Sequence, residues 1–137
     1  MVNIANINHT NNYSYIGILS LIEDDTYIIE HCVCPSSVSI NPGDCFALGL
    51  TYCSETCRAD GPVAIEHVGQ SSKLAQHPVY RQQQLESYIG VPVYCGDTLF
   101  GTLNFSSAAP YSRQFRNLDI DCLQLMASWI EVELVRR

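Results

Sequence analysis

Apolar residues recur at two different periods along this chain, and the change from one to the other sets the expected elements. "YSYIGILSLI" and "TYIIEHCVC" flank the acidic turn "EDD"; both are short runs rich in β-branched and aromatic residues, which predicts an antiparallel hairpin. "PSSVSINPGDCFAL" is turn chemistry throughout, with Asn41-Pro42-Gly43-Asp44 fixing a tight reversal, so it reads as a loop. In "LTYCSETCRADG", Thr51 or Ser54 is placed to cap a short helix that ends at Gly61, and Pro62 forbids its continuation. "PVAIEHV" predicts a short strand, and "GQSSKLAQHPVYRQQQ" a long polar connection with room for one helical turn.

The stretch "SYIGVPVYCGDTLFGTLNF" holds two apolar runs joined at Gly96-Asp97. Alternation puts Ile89, Val91, Val93 and Cys95 on one face, and Leu99, Gly101, Leu103 and Phe105 together on the return strand. Glycine and proline weaken strands, so here the glycines mark close approach of a ligand or other backbone, and Pro92 marks a bulge or an unpaired edge. Asn104 is the clear amide of the return strand and faces away from its apolar neighbours.

"NLDIDCLQLMASWIEVELVRR" then switches to helical period. Asn117 is the expected cap, with Asp119 and Asp121 at the positive end of the dipole and Arg136 and Arg137 at the negative end. At about 100° per residue, Leu118, Cys122, Leu125, Trp129 and Val132 form one apolar stripe. Ile120, Leu123, Ala127, Ile130 and Leu134 form a second, nearly opposite. A helix lying on one sheet needs only the first. The element order as a whole predicts an antiparallel sheet with helices segregated to a face.

Composition narrows the class. The chain has 137 residues, 47% apolar and only 15% charged, which fits one globular domain. Its net charge is −7, with seven Lys and Arg against fourteen Asp and Glu, and no basic stripe; this argues against nucleic acid and anionic membrane as direct partners. No apolar stretch reaches a membrane span and the start is polar, so the expected location is cytoplasmic. Seven cysteines, an odd number with no export signal before them, are then expected to be free thiols packed as small apolar residues.

In this order, "GDCFALGLTYCSETCRADGPVAIEHVG", "HPVYRQQQLESYIGVPVYCGDTLFGTLNFSS" and "YSRQFRNLDIDCLQLMASWIEVEL" resemble the GAF domain, the small-molecule sensor of bacterial histidine kinases, cyclic-dinucleotide enzymes and phytochromes. The resemblance spans residues 13–137 and implies an α+β fold. Its central antiparallel sheet would have about five to six strands, with helices on one face and loops or short helices covering a ligand pocket on the other. The family commonly starts with a helix, so residues 1–12 are expected to be a flexible lead-in or a truncated N-terminal helix. The second stripe, Ile120, Leu123, Ala127, Ile130 and Leu134, is then either the packing surface of that helix or the seam of a homodimer. The resemblance further implies a non-enzymatic sensor that passes a conformational change through its C-terminal helix to a kinase or cyclase output.

The candidate ligand-binding residues are Tyr52, Cys53, His67, Tyr80, Arg81, Tyr88 and Asn104. Tyr80 and Arg81 offer an aromatic platform and a cation in the covering segment. His67 is the best placed of His31, His67 and His77 to face a pocket. Cys53 and Cys57 share a helix face, which raises a thiol-based redox module as an alternative function; a purely structural dimerisation domain is another. Joined by Cys32 and Cys34 they could ligate zinc or an iron-sulfur cluster, but the tight Cys-x-x-Cys spacing is missing. The ligand or cofactor stays unknown. No covalent bilin is expected, since no Cys-His pair occurs, haem and metal are disfavoured, and the thiol loop needed to reduce free methionine sulfoxide is not evident.

Overall fold

The computed structural model describes residues 15–136, apart from the side chains of Tyr80 and Gln82; the lead-in at residues 1–12 lies outside the described residues. Six strands form one antiparallel sheet in the order β3-β2-β1-β6-β5-β4. β1 (Tyr15–Glu23) and β2 (Thr26–Val33) are the first hairpin, turning through Asp24 at positive φ. β5 (Ser87–Cys95) and β6 (Thr98–Ser107) are the second, and β1 pairs with β6 to place both hairpins side by side. Gly96, at φ 62°, supplies the left-handed residue that a two-residue hairpin turn requires.

The expected loop after β2 is not wholly irregular. Its end, β3 (Cys45–Ala47), pairs with Thr26–Ile28 as an edge strand, which satisfies backbone groups that a loop would leave to water. At the opposite edge β4 (Val63–Ile65) pairs only with Tyr88, Ile89 and Gly90, so Pro92 stands beyond it where no ladder bond is lost. The one register shift of this hairpin falls later, between Val93 and Tyr94.

Alternation splits the interior in two. Ile89, Val91, Val93 and Leu103 pack on one face against α3 (Asn117–Arg136). On the other face Tyr27, Ile29 and Tyr88 pack under α1 (Cys53–Ala59) and α2 (Pro78–Gln83) through Tyr52, Cys53 and Val79. The covering helices are short for definite reasons. Thr51 and Ser54 do not cap α1, because their hydroxyls donate to the carbonyls of Leu48 and Thr51. The helix ends at Ala59, two residues before Gly61, with Asp60 taking the left-handed position. Before α3 it is Asp119, not Asn117, that does the capping, accepting the Arg116 N–H at 2.7 Å.

The two stripes of α3 exchange the roles expected of them. Leu123, Ala127 and Leu134 are buried against the sheet, with Ile120 and Ile130 packed beside them. Leu118, Leu125, Trp129 and Val132 are each more than half exposed. Ile120, Leu123, Ala127, Ile130 and Leu134 therefore are not a free dimer seam; β5 holds them, and Glu131 fixes the rotation by accepting the Tyr94 N–H at 2.8 Å. No described helix is long and apolar enough to cross a membrane.

Candidate functional site

The middle strands carry an unusual sequence on the face away from α3. Ser20 of β1, Tyr88 of β5 and Thr102, Asn104 and Ser106 of β6 are all buried there, where alternation would normally place apolar residues. Polar groups removed from water need partners, and Ser20, Tyr88, Thr102 and Asn104 find them in a cluster built around Cys53. Asn104 Nδ2 donates to Cys53 Sγ at 3.1 Å and lies 3.4 Å from Tyr27 Oη. Thr102 Oγ1 donates to the same sulfur at 3.2 Å, with Ser20 Oγ 2.8 Å behind it. Tyr88 Oη, 3.6 Å from Cys53 Sγ, completes the cluster and meets Thr56 Oγ1 at 2.7 Å.

Above this polar floor is a cavity of about 110 Å³. Ile16, Ile18 and Ile29 rise from the sheet, Val38 and Ile40 come from the loop after β2, and Val79 and Leu85 close it from the α2 side. Tyr52, Cys53, Tyr88, Asn104 and Ser106 also line it, and none of its described lining residues is Asp, Glu, Lys, Arg or His. The Tyr52 hydroxyl donates to the Leu85 carbonyl at 2.7 Å, tying α1 to the far side of the cover. His77 is half-buried against Tyr52, ring centroids 5.0 Å apart, and its Nδ1 accepts the Val79 N–H at 3.2 Å.

Burial dominates the acid–base behaviour. It pushes the phenols of Tyr27 and Tyr88 well up, with the Cys53 sulfur adding to both, so the floor is uncharged near neutrality. It also raises the Cys53 thiol, outweighing the hydrogen bonds from Thr102, Tyr88 and Tyr27 that favour the thiolate. Cys57 is pushed up to about 11, by burial first and then by Cys53 and Asp60. Neither thiol has the lowered pKa of a reactive cysteine. The four thiols considered as ligands do not assemble: among the described residues no group of three or more His, Cys, Asp or Glu is placed to hold a metal ion.

Of the candidate residues, Tyr52, Cys53, Tyr88 and Asn104 meet at this cavity. His67 does not line it; its Nε2 turns to Glu86 Oε1 at 3.5 Å. Arg81 is exposed on α2, because the turn of helix that buries Val79 carries Arg81 outward. The Tyr80 side chain lies outside the described residues. Tyr27, Val79 and the isoleucine walls are contributors that sequence reasoning missed. The alternation in "TYIIEHCVC" pairs Tyr27 with Ile29, but period alone does not say which face of a sheet holds a pocket. A second, larger groove of about 540 Å³ lies on the α3 face beside the stacked rings of Tyr111 and Phe115, and its polar lining residues include Ser87, Ser107 and the Asp119 carboxylate.

A profile of the GAF domain matches residues 8–134. No curated protein sequence matches the chain. Among solved structures, the phycocyanobilin-bound GAF domain of a cyanobacterial phytochrome is similar at TM-score 0.69 and 13% identity, over 90% of this chain and 75% of that one. The GAF domain of an Acinetobacter phosphoenolpyruvate-protein phosphotransferase follows at 0.64 and 15%, over 90% and 71%. Free methionine-R-sulfoxide reductase from Neisseria meningitidis, solved with its substrate, is similar at 0.67 and 18%, over 90% and 70%. That last likeness, repeated in reductases from Staphylococcus aureus and Thermoplasma acidophilum, overturns the expectation of a non-enzyme: enzymes are built on this fold as well as sensors.

Proposed function

The chain belongs to the GAF domain family, and from that premise we propose that it is a regulatory module which takes a small molecule into the cavity under α1 and α2. The observation that carries this reading is the polar cluster around Asn104 and Cys53 at the floor of an otherwise apolar cavity. A sheet face built only for packing would have no use for five buried polar residues. Because the walls come from separate segments, a ligand touching all of them favours one arrangement of the cover over others. β5 offers the route onward, since Tyr88 faces the cavity while Val91 and Val93 on the same strand face α3. In this reading α3 passes the bias to a kinase or cyclase output, in a homodimer joined through Leu118, Cys122, Leu125, Trp129 and Val132. All seven cysteines are free thiols, which favours the cytosol.

Amide NMR during a thermal-shift-guided ligand screen tests the proposal. Shifts should begin at Tyr52, Tyr88 and Asn104 and extend through Val91 to α3. A molecule that binds elsewhere on the surface, or a cavity that stays silent to every compound, defeats it.

A second reading rests on Cys53 lining the cavity, which would place a thiol beside a bound substrate. Turnover of free methionine sulfoxide with a dithiol reductant, abolished in Cys53→Ser, would establish it; equal rates with and without the protein would end it. The raised thiol pKa ranks it below the regulatory reading.

A further inference from the structure

Resting on the ligand-binding reading above, we infer that the cavity's ligand is an uncharged molecule about the size of phenol, apolar over most of its surface, with one hydrogen-bonding group set against Asn104 and Tyr27.

Charge is the first argument. No described residue lining the cavity carries a formal charge near neutrality, and burial keeps Tyr27, Tyr88 and Cys53 protonated. Among the described lining residues an anion entering this space would give up its hydration with no cation to receive it, and a cation would find no carboxylate. The hydrogen-bond donors of the floor do not make up the deficit. Those of Asn104, Thr102 and Tyr88 are already directed at the Cys53 sulfur. A carboxylate, phosphate or amino-acid zwitterion would have to dismantle that cluster.

Size is the second. About 110 Å³ is somewhat less than the roughly 150 Å³ apolar cavity that accommodates benzene, and far below the pockets of drug-sized ligands. The third is polarity. Tyr27, Asn104 and Ser106 put hydroxyls and an amide along one side of the lining, while Ile16, Ile29, Ile40 and Val79 make the rest apolar. A molecule with a single hydroxyl, which can donate to an oxygen of Asn104 or Tyr27, matches that division; a pure hydrocarbon would leave the polar side facing nothing.

The experiment is an NMR titration of the full chain with four probes: phenol, benzyl alcohol, benzoate and benzylamine. Benzyl alcohol is the size-matched neutral partner of the two charged compounds. Phenol should shift the resonances of Tyr27, Tyr88 and Asn104 with a Kd on the order of 0.1 to 1 mM, in line with so few ligand atoms. Benzoate and benzylamine should bind at least about tenfold more weakly than benzyl alcohol, since each tenfold reflects only about 1.4 kcal/mol and ion burial costs more. Val79→Phe, or Ile40→Phe should the first prove unstable, should fill the cavity and abolish the phenol shifts while the spectrum stays folded. If a charged probe binds the cavity as tightly as the neutral ones, the charge assignment is wrong and the ligand-binding reading stands. If none of the four shifts a cavity resonance, both fall.

Discussion

Tyr88 Oη lies 2.7 Å from Thr56 Oγ1, joining the middle of the sheet to α1 between two residues that are almost wholly buried. Tyr88 reaches it because its ring lies over Gly90, where a side chain would collide: a Cβ there would come within 2.6 Å of Tyr88 Cζ. The glycine in "YIGVPV" is thus the space into which the tyrosine folds. Tyr88→Phe removes the bond, leaves Thr56 without that partner, and takes one donor from Cys53. The expected loss is about 1 to 3 kcal/mol by urea denaturation. Gly90→Ala should cost at least as much by evicting the ring. A Tyr88→Phe protein as stable as the parent would sink this account.

Thiol reactivity should divide the seven cysteines by environment. Cys45, Cys95 and Cys122 are exposed, whereas Cys53 is buried with its pKa raised. At pH 7 a disulfide reagent should modify Cys45 and Cys95 first, Cys122 more slowly where a partner copy covers the α3 stripe, and reach Cys53 only as fast as the protein opens. Cys57 should lag as well, because its pKa is raised to about 11 from 9.0. Its folded-state pKa being the higher one, the stability it contributes is intact below pH 9 and is lost as pH rises through about 11. Prompt labelling of Cys53 in folded protein, measured by mass spectrometry, would contradict the buried floor.

His77 carries the opposite sign. Burial lowers its pKa below 6.5, partly opposed by Glu55 and reinforced by Arg58. A ring whose Nδ1 accepts the Val79 N–H must be neutral, so protonation breaks that bond at the start of α2. The folded pKa is the lower one, and so the stability is present above pH 6.5 and is lost as pH falls below it. Melting midpoints should therefore decline on acidification in the parent and decline less in His77→Gln. Parallel curves would show that the ring titrates without consequence.

How far the sequence revealed these features depended on the kind of constraint involved. The hairpin Ser87–Cys95 to Thr98–Ser107 was readable because period two and a glycine turn are local properties, and the same alternation placed Asn104 opposite Leu103 and Phe105. Cys53 and Tyr52 were legible as pocket candidates through the short helix before Gly61-Pro62. Arg81 and His67 were not correctly placed, since their direction is set by which turn of a six-residue helix buries Val79 and by the contact of His67 with Glu86, neither of which period encodes. The two stripes of α3 have similar hydrophobicity, so choosing between them needed a partner surface. Leu123, Ala127 and Leu134 are the residues that the sheet buries, while Trp129 stays exposed.

The remaining stripe yields the sharpest test of assembly. Leu118, Cys122, Leu125, Trp129 and Val132 recur at alternating spacings of four and three, the repeat of a coiled-coil seam, and all are exposed. Leu125→Asp and Trp129→Asp should convert a homodimer to monomer in sedimentation experiments while leaving the helical and sheet signals intact, because both side chains are more than half exposed. Leu123→Asp should behave differently. It places a carboxylate against Val91 and Val93, and the expected outcome is a loss of about 3 kcal/mol or more of folding stability, not a clean dissociation. If Leu125→Asp and Trp129→Asp sediment as the parent dimer does, the seam lies elsewhere. If the parent is itself a monomer at micromolar concentration, this stripe joins no second copy of the chain.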